Sequence, residues 1–102
     1  MNKLKVIIGR KKNTSPNTEF EIQEYINKDD GGINYIPFGD SYRGVFENDI
    51  IDDIEINENN IYRTIYNKKL TKVIVKKSST KYLSSINNDT KIDNITKLKE
   101  YL

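Results

Sequence analysis

The stretch DDIEINENNIYRTIYNKKLTKVIVKK, residues 52–77, decides the fold expected of this chain. Ile54 and Ile56 alternate with acidic and polar residues, and two further β-rich runs follow at residues 61–66 and 70–76. Alternation with a period of two predicts half-buried strands, and the short polar connections between the runs suit hairpins. The stretch therefore predicts an antiparallel β-meander.

Three segments before the meander also have strand character. They are residues 4–8, 19–26 and 33–38. In the second segment, Thr18 and Glu21 have the spacing of a helix-start signal. However, its apolar residues Phe20, Ile22 and Ile26 are separated by even numbers of residues, which places them on one face of a strand. Pro37 cannot donate to a ladder, so the third segment is expected to lie at a sheet edge or to end there.

The C-terminal tail has a different period. Ile92, Ile95 and Leu98 recur every three residues, and Thr90 with Asp93 offers an acidic form of a capping box. This spacing predicts an amphipathic helix laid on the sheet. We therefore expect a small single α+β domain over residues 1–102, with a mainly antiparallel sheet of five or six strands, the meander at about 52–77 and a C-terminal amphipathic helix at about 90–101.

A weak internal duplication is also predicted, because residues 2–15 resemble residues 67–80. Each segment is a lysine-flanked strand that runs into a basic loop with serine and threonine. Ile, Lys, Asn and Tyr supply 50 of the 102 residues, so chance is the alternative explanation. A true duplication predicts two similar motifs with a groove between them.

Composition excludes several classes of chemistry. The chain has no cysteine and no histidine, so it lacks disulfides, a thiolate nucleophile and the commonest general base and transition-metal ligand. No catalytic or phosphate-loop motif is present, and we expect no enzymatic activity, no cofactor and no bound metal. Neither a membrane-length apolar run nor a signal peptide is visible, so the expected location is the cytoplasm.

The residue usage also indicates an origin. Ile, Lys, Asn and Tyr have A/T-rich codons, whereas alanine is absent and arginine occurs three times. A phage, a virus or a mobile element is one source of such a gene, and an A/T-rich cellular genome is the other. For a viral protein the expected location becomes the host cytoplasm.

Charge is sorted into three blocks along the chain. Residues 1–18 carry five cations and no carboxylate, residues 19–58 carry twelve carboxylates against two cations, and residues 59–102 carry ten cations against three carboxylates. The near-neutral total of +2 therefore hides strong local fields. Clustered charge of one sign steers partners to a surface, so the blocks indicate interaction surfaces.

The densest part of the acidic block is the first candidate surface, and it is expected to bind a host or viral protein. Exposed Tyr35 and Tyr42 are expected to assist it. The acidic residues are Glu47, Asp49, Asp52, Asp53, Glu55 and Glu58. Carboxylates spaced like phosphates can occupy the basic groove of a nucleic-acid-binding protein. The alternative is a solvated strand face that keeps the domain soluble and blocks edge pairing.

The basic ends are the alternative candidate surface, for nucleic acid. Lysines would follow a phosphate backbone, while Tyr62, Tyr66 and Tyr82 would stack on bases. The cations are Arg10, Lys11, Lys12, Lys68, Lys69, Lys72, Lys76, Lys77 and Lys81. Lysine dominates over arginine, which suits phosphate contacts better than base readout. The competing explanation is that these cations neutralise the acidic block inside the fold.

These observations favour a small non-enzymatic protein-interaction module. The expected role is an accessory protein of a phage, virus or mobile element that inhibits or adapts a host protein through the acidic surface. A nucleic-acid-binding protein is the second hypothesis. A self-associating structural protein, including a homodimer, is the third, because acidic and basic patches can pair between copies.

Overall fold

The computed structural model of the protein describes residues 3–14, 16–27, 35–57, 62–66, 69–85, 95 and 98–102. Over these ranges the chain forms nine strands and one helix. In chain order they are β1 (Lys3–Lys11), β2 (Glu19–Asn27), β3 (Tyr35–Pro37), β4 (Tyr42–Phe46), α1 (Glu47–Ile56), β5 (Tyr62–Tyr66), β6 (Lys69–Lys72), β7 (Ile74–Lys77), β8 (Lys81–Ser84) and β9 (Lys99–Tyr101).

Seven of the strands form a mixed sheet around β1. β1 is antiparallel to β2 over most of its length, and on its other edge it pairs in parallel with β5 through residues 5–7 and with β9 through residues 9–11. β6 extends the sheet beyond β5, while β3 and β4 both pair with the outer edge of β2. The remaining strands, β7 and β8, form a separate antiparallel hairpin.

The sequence of β1 explains its central place. Val6 and Ile7 are both fully buried, and successive side chains of a strand point to opposite faces, so this part of the sheet is covered on both faces. A bulge between Ile7 and Gly9 lets the strand continue to Lys11. A Cβ on Gly9 would lie 3.1 Å from Oε1 of Glu21, so a larger residue would crowd β2.

Helix α1 and the β7–β8 hairpin contribute to the main core with residues of the sheet. Ile50 and Ile51 of α1 are buried, and Ile54 packs against the same cluster. The buried cluster consists of Ile7, Phe20, Ile22, Ile50, Ile51, Tyr62, Val73, Leu83, Ile95 and Leu98. Burial of this apolar surface is the main force holding the helix in place.

The expected first strand of the meander is wrong, because residues 53–56 belong to α1. Ile50, Ile51 and Ile54 have helical spacing and face the core, whereas the alternation at 54 and 56 is too short to define a strand. The first backbone N–H groups of the helix also find hydrogen-bond acceptors in a loop that is distant in sequence. The N–H of Glu47 donates to the Thr18 carbonyl at 2.8 Å, and the N–H of Asn48 donates to Oδ1 of Asn17 at 3.0 Å.

The expected C-terminal helix is also wrong where the structure describes it. Residues 99–101 form β9, and the N–H of Lys12 donates to the Tyr101 carbonyl at 2.8 Å. β5 covers only part of the β1 edge, so β9 satisfies backbone groups that would otherwise lack partners. Ile95 and Leu98 are buried in the core as a helical face would be, and residues 90–94, 96 and 97 lie outside the described residues.

The third run of the meander is divided at Val73. This residue is buried and its N–H donates to the Tyr62 carbonyl at 3.1 Å, which separates β6 in the large sheet from β7 in the hairpin. Neither β4 nor β8 was among the strands expected from the sequence. The strand assignment of 19–26 and the edge position of β3 are confirmed.

The α+β class with a mainly antiparallel sheet of five or six strands is therefore wrong. The described chain is mostly β, with parallel pairing in its sheet and its helix in the middle of the sequence. The two segments of the predicted duplication also take different forms, since β1 is one continuous strand and residues 69–77 contain two. The duplication stays a prediction.

Candidate functional site

The acidic residues of α1 fall into three groups by the contacts that they make. Glu47 lies in the first turn, half-buried, and its carboxylate accepts the backbone N–H of Leu83. Burial raises the pKa of the Glu47 carboxyl, and this hydrogen bond opposes the rise. Glu47 therefore belongs to the contact between α1 and β8 more than to an open acidic surface.

Asp53 and Glu55 form the second group, and both have partners within the molecule. Asp53 accepts hydrogen bonds from the Tyr62 hydroxyl at 2.5 Å and from Nδ2 of Asn57 at 2.9 Å, and Nζ of Lys5 lies 3.9 Å from Oδ2 of Asp53. Both carboxylate oxygens of Glu55 accept from Nζ of Lys81 at 2.9 Å. These two carboxylates connect the helix to β1, β5 and β8.

Asp49 and Asp52 form the third group and are exposed on the outer face of α1. Ile56 lies on the same face, because positions i, i+3 and i+7 of a helix align, and it is 77% exposed. We call Asp49, Asp52 and Ile56 the acidic stripe. Glu58, which was expected to extend this surface, lies outside the described residues.

Of the two tyrosines expected beside the acidic surface, the structure describes the side chain of Tyr42 but not that of Tyr35. Tyr42 is exposed in β4, and its pKa is raised by partial burial and by the nearby carboxylates of Glu24 and Asp53. The Tyr42 hydroxyl is therefore close enough to Asp53 for the charge of that carboxylate to act on it. Tyr35 pairs with Asn27 at the edge of the sheet, and its side chain is outside the described part of the chain.

Three of the expected nucleic-acid-binding cations form ion pairs within the molecule. Nη2 of Arg10 lies 2.9 Å from Oε1 of Glu100, Nζ of Lys11 lies 3.3 Å from Oε2 of Glu19, and Lys81 binds Glu55 as described. These pairs are partly or largely exposed, so each contributes little to stability. They support the competing explanation that part of the charge sorting is neutralised inside the fold.

The other expected nucleic-acid-binding cations whose side chains the structure describes have no ion pair with a described residue. Lys12, Lys72 and Lys77 are exposed and Lys76 is half-buried. Lys77 stands opposite Lys81 across the hairpin, and Lys76 stands opposite Tyr82. Lys68 and the side chain of Lys69 lie outside the described residues.

Two cavities bring the basic segments together. The larger, of about 420 Å³, is bounded by residues 16–18, by residues 47–48 at the start of α1 and by residues 80–82. The smaller, of about 130 Å³, is bounded by residues 10–14, Thr18 and Glu100. Thr18, in the β1–β2 loop, lines both cavities. We call the two together the loop groove.

The expected stacking tyrosines are separated by the fold. Tyr82 is 39% exposed and lines the larger cavity, whereas Tyr62 is only 5% exposed and is hydrogen-bonded to Asp53. The Tyr66 side chain lies outside the described residues. Of the rings that the structure describes, Tyr82 therefore remains suited to stacking, and Tyr62 is a core residue.

Sequence reasoning missed a cluster that joins β2, β4 and β9. The Arg43 guanidinium lies 4.2 Å from the centre of the Tyr101 ring, Nε of Arg43 lies 3.7 Å from Oε2 of Glu21, and Ser41 Oγ donates to that oxygen at 2.7 Å. The buried Tyr101 hydroxyl has no hydrogen-bond partner among the described residues. Burial and then the Glu19 carboxylate raise the pKa of Tyr101. No local pattern could have predicted this meeting of three distant segments.

Two further statements apply only to the residues that the structure describes. No group of three or more carboxylates is arranged to hold a metal ion. No helix is long and apolar enough to cross a membrane.

Comparison with protein-family models, curated proteins and solved structures finds no match to this chain. The functional argument therefore depends on the two surfaces themselves, the acidic stripe and the loop groove.

Proposed function

We propose that the protein is a small non-enzymatic interaction module that binds a basic surface on a partner protein through the acidic stripe. One observation carries the proposal. Helix α1 commits Asp53 and Glu55 to contacts within the molecule, yet leaves Asp49 and Asp52 in solvent beside an isoleucine that is 77% exposed.

The composition of the stripe suits a protein partner. Exposed carboxylates raise the association rate and select a basic partner, but each contributes little affinity. Complete burial of an isoleucine side chain is worth roughly 1.5–3 kcal/mol, so Ile56 supplies apolar contact that the charges cannot. Tyr42, which is exposed and feels the charge of Asp53, adds a residue type that is enriched in binding hot spots.

The partner that fits is a protein whose own surface is basic, such as one that binds nucleic acid. The preference for residues with A/T-rich codons fits a gene from a phage, a virus or a mobile element, and for such a gene we propose a host protein as the partner. The module would then act as an inhibitor that covers the basic surface, or as an adaptor that recruits the protein carrying that surface.

The test is quantitative capture from an extract of the natural host, followed by direct titration of the captured protein. Asp52→Lys is compared with Asp40→Lys, which reverses one exposed carboxylate in the loop before β4. We expect D52K to weaken binding and D49K/D52K to weaken it about tenfold or more, because attraction becomes repulsion at the interface. Binding by wild type should also fall as salt rises.

D40K should bind as wild type does, and all variants should keep the wild-type circular dichroism spectrum. A partner that binds D49K/D52K and wild type equally would contradict the proposal. Light scattering at low salt monitors self-association. Exposed ion pairs of about 0.2–1 kcal/mol each do not offset the several kcal/mol that association costs, so we expect a monomer.

A further inference from the structure

The larger cavity of the loop groove lies beside the acidic stripe. Asn48 lines this cavity, Asp49 follows Asn48 in α1, and Asp52 lies one turn beyond Asn48 on the same side of the helix. The cavity volume of about 420 Å³ falls within the range of about 300–1,000 Å³ that is typical of ligand pockets. A partner that is held by the stripe is therefore in position to place a side chain in the cavity.

The start of α1 does not make this cavity an anion site. Free backbone N–H groups at a helix N-terminus bind anions. Here the N–H of Glu47 already donates to the Thr18 carbonyl, and the N–H of Asn48 donates to Oδ1 of Asn17. Glu47 itself lines the cavity, so an anion would lack these two donors and would meet a group of its own charge.

The charges around the cavity leave one carboxylate without a cation. Among the described lining residues, Glu47 and Lys81 are charged. Nζ of Lys81 lies 2.9 Å from both carboxylate oxygens of Glu55, so the charge of Lys81 is already balanced. Glu47 forms no ion pair with a described residue, and its carboxylate accepts the neutral N–H of Leu83. The charged groups at the cavity therefore sum to a negative charge.

Burial makes this unbalanced carboxylate unfavourable. Glu47 is half-buried, and burial raises the pKa of its carboxyl, because the charged form loses hydration. A cation beside the carboxylate would replace the stabilisation that water no longer supplies. The cavity therefore favours a cationic ligand.

The neutral residues of the cavity favour arginine over lysine. Tyr82, which is 39% exposed, supplies an aromatic ring, and Thr18 and Thr80 supply hydroxyl oxygens. A guanidinium is planar, stacks on aromatic rings and donates several N–H bonds in its own plane, whereas an ammonium is a compact and strongly hydrated charge. An arginine side chain can thus use the ring, the hydroxyls and the Glu47 carboxylate together.

From these observations we propose that the larger cavity receives an arginine side chain of the partner protein, with its guanidinium against the Glu47 carboxylate and over the Tyr82 ring. The assignment rests on the proposed function, because this arginine belongs to the basic surface that the acidic stripe binds. It specifies a residue that the partner must present. Arginine is also enriched among binding hot spots, which suits an anchor in a cavity.

The test is an NMR titration of the isotopically labelled full chain with N-acetyl-arginine amide, and with N-acetyl-lysine amide as the matched cation. We expect the arginine compound to shift the backbone amide signals of Asn17, Asn48 and Tyr82. The amide signal of Lys72, in a strand that lines neither cavity, should not move. The lysine compound should bind several-fold more weakly, because an ammonium lacks the planar donor group.

Two variants test the two contacts separately. Glu47→Gln removes the charge but keeps an acceptor for the Leu83 N–H, so it should weaken binding of the arginine compound about fivefold or more. Asp40→Asn removes one exposed carboxylate elsewhere and should leave the affinity unchanged. Tyr82→Ala should weaken binding about 2- to 30-fold through loss of the cation–π contact. Tyr42→Ala is its control, because Tyr42 is 40% exposed and lies outside the cavity lining.

Four results would overturn the proposal. They are no localised shifts with the arginine compound up to about 50 mM, equal affinity for the lysine compound, equal shifts of the same amides by inorganic phosphate, and unchanged arginine binding by E47Q and Y82A. The titrations of the wild-type chain decide the matter even where a variant fails to fold.

Failure of this proposal is distinct from failure of the acidic stripe. The arginine titration needs no partner, whereas the stripe is tested by partner binding to D49K/D52K. Arginine binding in the cavity, with a partner that binds D49K/D52K and wild type equally, would reject the stripe and keep the cavity site. No arginine binding, with weakened partner binding by D49K/D52K, would reject the cavity site and keep the stripe.

Discussion

At the scale of single residues, Asp53 shows what a charge pattern cannot reveal. The sequence places it among six carboxylates of one dense segment, and nothing local distinguishes it from Asp52 beside it. In the structure Asp53 accepts the Tyr62 hydroxyl while Asp52 is exposed. One step of about 100° around a helix separates a structural residue from a candidate partner contact.

The hydrogen bond between Tyr62 and Asp53 is expected to stabilise the fold measurably. Tyr62→Phe should lower the free energy of unfolding by about 1–3 kcal/mol, because the lost bond is to a charged acceptor and Tyr62 is buried. Urea unfolding measures the change. Tyr82→Phe, in the exposed hairpin, is the control and should change stability by less than about 0.5 kcal/mol.

The same pair of residues predicts that the free energy of unfolding depends on pH in the alkaline range. Burial, and then the hydrogen bond and the charge of Asp53, raise the pKa of Tyr62 above its ordinary value of 10.0. A raised pKa in the folded state means that the contribution is fully present below pH 10 and declines as pH rises above it, because the unfolded chain loses the proton first. The stability difference between wild type and Y62F should therefore shrink above pH 10, and a constant difference would contradict this assignment.

At the scale of elements, α1 is the clearest failure of sequence reasoning. Phe46 precedes the helix and makes no side-chain cap, so the usual start signal is missing. Asn17 and the Thr18 carbonyl act instead, about 30 positions earlier in the chain. The apolar spacing of Ile50, Ile51 and Ile54 was the signal that could have identified the helix.

The helical structure of residues 47–56 predicts different effects for substitutions of Ile50 and of Ile56. Ile50→Ala should cost about 2–5 kcal/mol of unfolding free energy, because Ile50 is 0% exposed in the core. Ile56→Ala should stay within about 0.5 kcal/mol of wild type, because Ile56 is 77% exposed. Equal losses from the two substitutions would show that this segment does not pack as α1.

β9 was missed because its pairing is entirely long-range. Ile95 and Leu98 have a spacing that fits a helix, and only the open edge of β1 makes the following residues a strand. Truncation after Leu98 should therefore speed hydrogen exchange of the Lys12 amide, which bonds to the Tyr101 carbonyl at 2.8 Å.

Amide exchange followed by NMR would measure this effect of truncation. The Val6 amide in the body of β1, opposite Gln23, is the internal control and should change less than the Lys12 amide. A Lys12 amide that exchanges at the same rate in the truncated and full-length chains would contradict the β1–β9 pairing.

At the scale of the whole molecule, the three charge blocks fold onto one another. Lys5 and Lys11 of the first block pair with Asp53 and Glu19 of the second, and Lys81 of the third pairs with Glu55 of the second. Contacts of this kind neutralise part of each block, so a charge map of the sequence overstates the fields at the surface. The described carboxylates that stay exposed without an ion pair to a described residue include Asp49 and Asp52 of the acidic stripe.

A double-mutant cycle on Glu55 and Lys81 measures this complementation. Both side chains are nearly half exposed, so the coupling energy between E55Q and K81Q should be only about 0.2–1 kcal/mol and should fall with added salt. The same cycle on Asp49 and Lys72, which form no ion pair with each other, should give no coupling within error. A larger coupling for the second pair would contradict the arrangement of α1 and the hairpin.

The sequence by itself predicted strands at 4–8, 19–26 and 61–66, which correspond to β1, β2 and β5, and it determined the absence of histidine and cysteine side chains and the sorting of charge. Each of these depends on composition or on a period visible within a few residues. Only the tertiary structure decided that Asn17 caps α1, that β9 pairs with β1, which carboxylates stay in solvent, and that two basic segments meet at the loop groove. The physical reason is that these contacts join residues far apart in the chain, where local periodicity carries no information about the partner.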